Sequence, residues 1–307
     1  MKIAIIGAGA MGSLFGGLLQ EAGNEVHLVD VWKEHVDTIN KNGLRIEGIS
    51  GDRTVKLKAH NKASEVGSCN LVIVFVKSTF TKAAISDSLS LIDGNTAILT
   101  LQNGLGNADI LGEVVGQDHV IAGVTSFGST LLGPGKIRHA GSGDTYIGAL
   151  AGLSDGKIEE VAAVLSKSGI KTLNSKDVMG LVWSKLIVNV GINALTAITG
   201  LLNGELVEHE ETEELLELAV KEAIEVAKLR GIKLIDKDPI EHVKEVCRLT
   251  ATNKSSMLQD MLNKKKSEVD FISGAIVREG KKLGVQTPVN TVLTNLVKTK
   301  EKMNGVK

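Results

Sequence analysis

Short apolar runs alternate with amphipathic segments over the first half of the chain. The runs are typical of buried strands and lie at Lys2–Ile6, Glu25–Asp30, Leu71–Val76, Ala97–Thr100, Val120–Val124 and Thr145–Gly148. Apolar residues at helical spacing predict helices over Ala10–Ala22, over Lys33–Lys41 and from about Thr81. Because short buried strands that alternate with helices form parallel sheets, we expect an α/β domain with helices on both faces of its sheet.

Two stretches of this half interrupt the alternation of strand and helix. Leu44–Ile49 and Thr54–Leu57 each have one polar face, which predicts a hairpin. The sequence Leu132-Gly133-Pro134-Gly135 predicts a turn with a strand on either side.

The strand pattern ends at about Ser175, and only helical spacing follows. Helices are predicted over Leu181–Ile198, Glu211–Leu229, Ile240–Thr250, Glu268–Leu283 and Val289–Glu301. A chain of 307 residues is typical of about two domains. We therefore predict an N-terminal α/β domain over residues 1–172 and a C-terminal all-helical domain over residues 173–307.

Composition excludes several classes of protein. The net charge of -1 gives no basic surface for nucleic acid. No apolar run reaches the roughly 18 residues of a membrane span, and glycines interrupt the apolar start where a signal peptide would continue. The two cysteines, Cys69 and Cys247, lie too far apart to suggest a metal cluster or a disulfide framework. These features predict a cytoplasmic protein without a metal site.

A glycine-rich loop follows the first predicted strand and opens the first helix. In this context G-x-G-x-x-G is typical of a dinucleotide-binding loop. The first glycine permits the turn, the second admits the pyrophosphate, and the third lets the helix pack on the strand. The pyrophosphate then rests on amides at the helix N-terminus. We therefore predict cofactor contacts from Gly7, Ala8, Gly9, Ala10, Met11 and Gly12.

The second strand ends on an acidic residue, Asp30, eighteen residues after Gly12. A carboxylate at this position accepts hydrogen bonds from the adenine-ribose diol of NADH and repels the 2′-phosphate of NADPH. Asp30 therefore favours NADH, although the positive charge of nearby Lys33 opposes that preference. The alternative interpretation is that Asp30 is a solvated strand end.

One polar stripe follows the most apolar predicted helix. Lys185, Asn189 and Asn193 recur every four residues, so they lie on one helix face. Burying these groups costs free energy unless they meet polar partners, which a substrate with a carboxylate and a carbonyl would provide. On spacing alone, a stripe that binds a substrate and a stripe that faces water are equally well supported.

For two further polar residues, Ser256 and Glu268, spacing alone favours a structural explanation over a functional one. Ser256 and Gln259 show the spacing of a capping box at a helix start. Glu268 lies in the first turn of the predicted helix Glu268–Leu283, where an acid suits the helix dipole.

Seven motifs occur in one order along the chain, and together they resemble the ketopantoate reductase family over essentially the whole length. They are GAGAMG, Val76-Lys77, Gln102-Asn103-Gly104, WxKLxxNxxxN from Trp183, Asn203-Gly204-Glu205-Leu206, SSMLQD from Ser255 and SExDxIxG from Ser267. The resemblance implies a Rossmann domain followed by a helical domain of the 6-phosphogluconate-dehydrogenase-like type. It also implies reduction of a 2-keto acid by NAD(P)H.

The resemblance further implies a role for each matched residue. Lys185 corresponds to the general acid that protonates the carbonyl oxygen as hydride arrives, a donor that the chemistry requires because hydride addition creates an alkoxide. Glu268 corresponds to the acid that hydrogen-bonds the substrate hydroxyls. The remaining matched residues are Lys77 and Asn103 near the nicotinamide, and Asn103, Asn189, Asn193, Asn203 and Ser256 on the substrate.

Two departures from the family pattern leave the substrate and the cofactor open. NADPH-dependent members carry an arginine near the end of the second strand, where this chain has Asp30-Val31-Trp32-Lys33. Phe80 replaces a glutamine found in some members, and we expect it to alter the wall beside the nicotinamide.

The first interpretation is reduction of ketopantoate to D-pantoate in pantothenate biosynthesis. The alternative is an NAD-dependent D-2-hydroxyacid dehydrogenase of the D-mandelate dehydrogenase type, acting on other branched or aromatic 2-keto acids. A regulator that binds a dinucleotide without turnover is disfavoured by the presence of both Lys185 and Glu268. A homodimer through the helical domain is the expected assembly.

Overall fold

The structure is a computed structural model that describes residues 1–306. Within this range the chain forms twelve strands and eleven α-helices, which follow in the order β1 (Lys2–Ile6), α1 (Ala10–Glu21), β2 (Glu25–Val29), α2 (Lys33–Asn42), β3 (Leu44–Gly48), β4 (Arg53–Val55), β5 (Lys58–His60), β6 (Leu71–Val74), α3 (Thr81–Ser86), β7 (Ala97–Thr100), α4 (Asn107–Val115), β8 (Val120–Thr125), β9 (Gly128–Gly133), β10 (Lys136–Gly141), β11 (Thr145–Ala149), α5 (Asp155–Lys167), β12 (Thr172–Asn174), α6 (Val178–Thr199), α7 (Glu210–Leu229), α8 (Pro239–Leu249), α9 (Ser256–Leu262), α10 (Ser273–Leu283) and α11 (Pro288–Met303).

Eight strands form the main sheet in the order β12-β11-β8-β7-β6-β1-β2-β5. Neighbouring strands are parallel, as predicted, except that β11 runs antiparallel to β8. Parallel pairing needs a crossover connection. The chain between β8 and β11 instead forms the β9–β10 hairpin, and β11 then returns beside β8 in the opposite direction.

Both faces of the main sheet are covered, which confirms the predicted α/β arrangement. Alternate residues of β1 show this, because Ile3 and Ile5 share a core with Leu14 and Phe15 of α1. Ala4 and Ile6 belong to the core on the opposite face, with residues of α3 and α4. A period of two residues along a strand buried on both sides produces this division.

A second sheet has the order β4-β3-β10-β9 and covers the other side of α1. The expected β3–β4 hairpin is confirmed, but the parallel pairing of β3 with β10 gave no signal in the sequence. A Cβ atom on Gly17 would lie 2.6 Å from Cδ1 of Ile46 in this sheet. The small residues of α1 therefore allow one helix to pack between two sheets.

The helices after β12 pack around α6, whose Trp183 and Val190 are completely buried. By length and composition α6 could cross a membrane, but 61% of its most apolar window is buried inside the protein. We therefore describe α6 as the core helix of this unit.

The chain folds into two compact units. The first contains Met1–Gln102 and Asn107–Val178, and the second contains Asn103–Gly106 with the chain from Met179 onward. The division falls six residues after the boundary predicted at residue 172, because β12 pairs with β11 of the first unit. Helices α4 and α5 of the first unit were not predicted from the sequence.

The two cysteines are free and buried, one in each unit. Burial raises the pKa of the Cys69 thiol, and it raises the pKa of Cys247 to about 11. Both side chains therefore serve as small apolar core residues.

Candidate active site

The glycine loop connects β1 to α1 in the first unit, and its geometry explains two of its three glycines. Gly7 has a φ of +93°, and a Cβ atom there would lie 2.6 Å from the nitrogen of Val76. A Cβ atom on Gly12 would lie 1.9 Å from the carbonyl oxygen of Gly7. Both positions therefore require glycine for the fold itself.

Gly9 differs because the fold does not demand it. Its φ of -63° suits any residue, and a Cβ atom there would meet nothing within 4 Å. The space beside Gly9 lies at the N-terminus of α1, whose first turn carries no acidic residue. Open space at a helix N-terminus fits a pyrophosphate, which the first-turn amides and the helix dipole attract.

The carboxylate of Asp30 lies against this loop. Oδ2 accepts a hydrogen bond of 2.7 Å from the backbone nitrogen of Ala8, and Oδ1 accepts one of 2.8 Å from that of Trp32. A carboxylate has about four acceptor positions, so each oxygen retains capacity for a ligand hydroxyl. The two bonds also fix the carboxylate beside the loop.

A cavity of about 520 Å³ opens beside Asp30 and Gly7. Its walls include Val31, Ala63 and Phe80. This volume lies within the range of about 300–1,000 Å³ typical of small-molecule sites. Phe80 was expected beside the nicotinamide, but it lines the cavity that contains Asp30.

Lys77 follows β6, at the carboxyl edge of the sheet where ligands of open α/β sheets bind. The preceding residue, Val76, contacts Gly7, and its carbonyl oxygen accepts a hydrogen bond of 2.6 Å from Nε2 of Gln102. These contacts place the backbone of Lys77 next to the glycine loop.

In the second unit, α6 presents the predicted stripe of Lys185, Asn189 and Asn193. Lys185 is half-buried, and burial lowers its pKa to about 8, while the nearby carboxylate of Glu268 opposes the decrease. A pKa near neutrality is typical of a lysine that transfers a proton. The structure therefore brings the two predicted catalytic residues together.

The two asparagines of the stripe differ in their hydrogen bonding. Nδ2 of Asn189 is buried and has no hydrogen-bond partner among the described residues. Asn193 is 4% exposed, and its Nδ2 lies 3.5 Å from the hydroxyl of Ser256. Because a buried amide without a partner costs free energy, the amide of Asn189 is a candidate contact for a bound ligand.

Ser255, rather than Ser256, caps α9. The Ser255 hydroxyl accepts a hydrogen bond of 3.0 Å from the nitrogen of Leu258. The capping-box interpretation of Ser256 with Gln259 is therefore wrong, since the helix begins one residue earlier than that pattern requires. Ser256 is the first helical residue, and its hydroxyl lies beside Asn193.

Glu268 does not lie in a helix, contrary to the prediction. It precedes a single 3₁₀ turn over Val269–Phe271, and α10 begins only at Ser273. Ile272, with φ -110° and ψ -99°, separates the turn from the helix. The helix-dipole explanation of Glu268 therefore does not apply.

The segment that contains Asn103 lies against this turn. The backbone nitrogen of Leu105 donates a hydrogen bond of 2.8 Å to the carbonyl oxygen of Phe271. A Cβ atom on Gly104 would lie 2.6 Å from the same oxygen, and the φ of Gly104 is +88°. Glycine at this position thus brings Asn103 to the part of the chain that carries Glu268.

Asn203 is 8% exposed, and its hydrogen bonds hold a loop in place. None of the described contacts joins it to the stripe of α6. Its Nδ2 donates to the hydroxyl of Thr250 at 2.9 Å, and its backbone nitrogen donates to the carbonyl of Asn253 at 3.0 Å. Its buried Oδ1 has no partner among the described residues. This oxygen is the part of Asn203 that a ligand would satisfy.

The apolar walls of the cavity, such as Val31 and Ala63, were not predicted from the sequence. Val31 is 93% exposed and lies two residues after the end of β2. The position of Val31 beyond the carboxyl end of β2 was the sequence signal that could have located this wall, because ligands of open α/β sheets bind there.

The glycine loop, the fixed Asp30 and the apolar cavity define a unit that binds a dinucleotide. The second unit adds a lysine with a lowered pKa beside a carboxylate. Together they define the class of the protein as a nicotinamide-dinucleotide-dependent oxidoreductase.

Comparison with known proteins gives the family. The model of "Ketopantoate reductase PanE/ApbA" matches residues 3–152, and that of its C-terminal domain matches residues 177–301. A 2-dehydropantoate 2-reductase of Halobacterium salinarum is 37% identical over 97% of this chain and 98% of its own length. The chain belongs to the ketopantoate reductase family.

Two solved structures show the same fold. A ternary complex of D-mandelate dehydrogenase with NADH and anilino(oxo)acetate has a TM-score of 0.95 and 35% identity over the whole of both chains. A ketopantoate reductase from Ralstonia eutropha JMP134 has a TM-score of 0.92 and 37% identity over 99% of this chain and 100% of its own. The Rossmann and helical domains are thereby confirmed, as is the use of a nicotinamide dinucleotide by an enzyme acting on CH–OH groups.

Replacing Gly9 separates cofactor binding from folding. We expect Gly9→Ala to cost less than about 1 kcal/mol of stability, because its Cβ enters open space at a helix N-cap. NADH affinity should fall at least about ten-fold, because the methyl group occupies the position of the pyrophosphate. Fluorescence titration of NADH and thermal denaturation measure the two effects.

Gly12→Ala is the matched control, because its Cβ collides with the carbonyl of Gly7 and should lower the melting temperature clearly. A Gly9→Ala protein that binds NADH like the wild type would show that the open space is not the pyrophosphate site.

Proposed function

We propose that this protein is a 2-dehydropantoate 2-reductase, which reduces ketopantoate to D-pantoate with NADH. The observation that carries the proposal is the pairing of Lys185, with its lowered pKa, and Glu268 beside the polar stripe of α6. The names of the curated relatives from archaea and bacteria support ketopantoate as the substrate.

The residues of the first unit fit the cofactor. The open space at Gly9 suits the pyrophosphate, the cavity beside Asp30 suits the adenosine, and Lys77 lies at the carboxyl edge expected for the nicotinamide side. When bound, the cofactor supplies the hydride that adds to the keto carbon. The two oxygens of Asp30 each keep an acceptor position for a ribose hydroxyl, and their charge repels a 2′-phosphate, which supports NADH over NADPH.

Lys185 acts as the general acid in this proposal. Hydride addition turns the keto oxygen into an alkoxide, and the ammonium of Lys185 stabilises the growing charge and then transfers a proton to that oxygen. A pKa of about 8 keeps most of the amine protonated at neutral pH and makes it a stronger acid than an ordinary lysine. The negative charge of Glu268 opposes a further decrease in this pKa, so Lys185 keeps its proton at neutral pH.

The other residues of the second unit hold the substrate. The Asn189 amide, buried without a described partner, donates to a substrate oxygen, and Asn193 with Ser256 binds the carboxylate. Asn103 and Asn203 add polar contacts. Glu268 accepts a hydrogen bond from the 4-hydroxyl of ketopantoate, a group that simple 2-keto acids lack.

The second candidate is a D-2-hydroxyacid dehydrogenase for branched or aromatic 2-keto acids. The structural neighbour with TM-score 0.95 is a D-mandelate dehydrogenase in complex with NADH, and Asp30 agrees with that cofactor. The roles of Lys185 and Glu268 would remain, and only the substrate would change.

We also propose that the enzyme is cytoplasmic and forms a homodimer through its helical unit. The buried, unpaired thiols support a reducing compartment. Val292, Leu296 and Met303 are exposed and follow one face of α11, which supports pairing of apolar surfaces.

Steady-state oxidation of NADH and NADPH with a set of 2-keto acids tests the proposed function. Ketopantoate should exceed 2-ketoisovalerate, 2-ketoisocaproate and phenylglyoxylate in kcat/KM by at least about 100-fold, because a site that pairs with a hydroxyl rejects substrates without one. If phenylglyoxylate or 2-ketoisocaproate is preferred with NADH, the second candidate is correct. Absence of turnover with every keto acid would contradict both.

Replacement of Asp30 tests the cofactor preference. Asp30→Ala should reduce the ratio of kcat/KM for NADH over NADPH by at least about ten-fold, since it removes both the diol acceptor and the repulsion of the 2′-phosphate. Asp37→Ala, which changes an exposed acid of α2 paired with Lys33, is the matched control and should leave the ratio unchanged. An unaltered ratio in Asp30→Ala would show that Asp30 does not contact the ribose.

A further inference from the structure

We infer that Glu301, near the end of the last helix, is a positioning residue that holds the Glu268 carboxylate in place for the substrate hydroxyl. The inference rests on the proposed role of Glu268. It assigns a function to a buried carboxylate that lies 33 residues away in sequence and belongs to none of the recognised motifs.

The Glu301 carboxylate lies in a position that disfavours a negative charge unless other groups compensate for it. The residue is 1% exposed and lies in the last turn of α11, where the negative end of the helix dipole repels an anion. Its neighbours Lys300 and Lys302 have the charge that suits this end of a helix. A buried acid at such a position requires compensating contacts.

Those contacts come from the two residues directly before Glu268. Oε1 of Glu301 accepts hydrogen bonds from the backbone nitrogen of Ser267 at 2.8 Å and from its hydroxyl at 2.6 Å. Oε2 lies 3.0 Å from Nζ of Lys266. A single carboxylate thus fixes the backbone, the side chain and the charge immediately upstream of Glu268.

The hydroxyl of Ser267 links Glu301 to the backbone on the other side of Glu268. It donates to Glu301 and accepts a hydrogen bond of 3.3 Å from the backbone nitrogen of Val269. The residues on both sides of Glu268 are therefore tied to one group that is 1% exposed. Because Glu268 itself lies outside any α-helix, these bonds replace the rigidity that a helix would supply.

The downstream side of the turn is tied to the same helix. Lys298, one helical turn before Glu301, forms an ion pair of 2.5 Å with Asp270. Arg278 of α10 donates to the carbonyl oxygen of Asp270. Lys298 is partly exposed, so its ion pair contributes less than the buried Glu301 contacts.

Glu301 should therefore control how strongly the enzyme distinguishes a hydroxylated substrate. The measured quantity is the ratio of kcat/KM for ketopantoate to that for 3,3-dimethyl-2-oxobutanoate, which differs only by lacking the 4-hydroxyl. Loss of Glu301 releases Glu268, and a displacement of about 1 Å in a positioned group can cost roughly 100-fold in rate. General destabilisation would not alter this ratio.

The experiment measures the ratio in four variants of the full-length enzyme. Glu301→Ala and Ser267→Ala should reduce it at least about ten-fold, with the KM for NADH unchanged. Glu301→Gln keeps an oxygen that can accept both Ser267 bonds and should restore most of the ratio. Glu279→Ala is the matched control, since Glu279 is a buried, ion-paired carboxylate of α10 that contacts Arg230 and Lys282 instead of this turn.

Three results would overturn the inference. These are an unchanged ratio in Glu301→Ala and Ser267→Ala, an equal loss in Glu279→Ala, and a Glu301→Gln enzyme as defective as Glu301→Ala. If Glu301→Ala does not fold, Ser267→Ala decides. Glu268→Ala, which removes the acceptor, distinguishes a failure of the proposed function, because a wild-type ratio in that variant would mean that Glu268 never binds the hydroxyl.

Discussion

The packing of α6, an apolar helix at the core of the helical unit, fixes the position of the Lys185 ammonium, and the proposed chemistry depends on that position. Trp183, Leu186 and Val190 bury the opposite faces of α6 in the core, so the helix cannot rotate to expose its lysine. The amine therefore stays in a half-buried environment where desolvation disfavours its charge. The nearby carboxylate of Glu268 partly offsets this cost.

The same constraint gives the lysine its chemistry. An exposed lysine would hold its proton too tightly to transfer it at neutral pH, and a fully buried, unpaired one would lose it. Burial lowers the pKa to about 8 and Glu268 limits the decrease, so the group is both charged and acidic. In the proposed function, the position of Glu268 therefore affects two properties at once, the acidity of Lys185 and the recognition of a substrate hydroxyl.

The main features of the fold could be predicted because they depend on local sequence. The apolar run of β1, the glycines of the loop and the helical spacing of α6 are each sufficient for their elements. β5 could not be found, because the sequence Lys-Ala-His has no strand pattern and becomes a strand only by pairing with β2. The antiparallel β11 likewise depends on a hairpin that belongs to another sheet.

The candidate site could be predicted only in part, for similar physical reasons. The four-residue spacing on α6 located the stripe, but it could not decide between solvent and a ligand. In the structure Nδ2 of Asn189 is buried without a described partner and Asn193 contacts Ser256, and both observations favour a ligand over solvent. The support of Glu268 by Glu301 depends on tertiary contacts, which the sequence does not reveal. The only sequence feature that could have indicated it was an acidic residue in the last turn of a helix.

The pH dependence of kcat/KM for ketopantoate reduction in the wild type and in Lys185→Ala tests the central claim, that Lys185 donates the proton. The wild-type rate should be constant at neutral pH and fall as the pH rises through about 8, because the protonated amine is lost there. Lys185→Ala should lack this decrease and turn over at least about 100-fold more slowly. A folded Lys185→Ala enzyme with near-normal turnover and the same alkaline decrease would contradict the account.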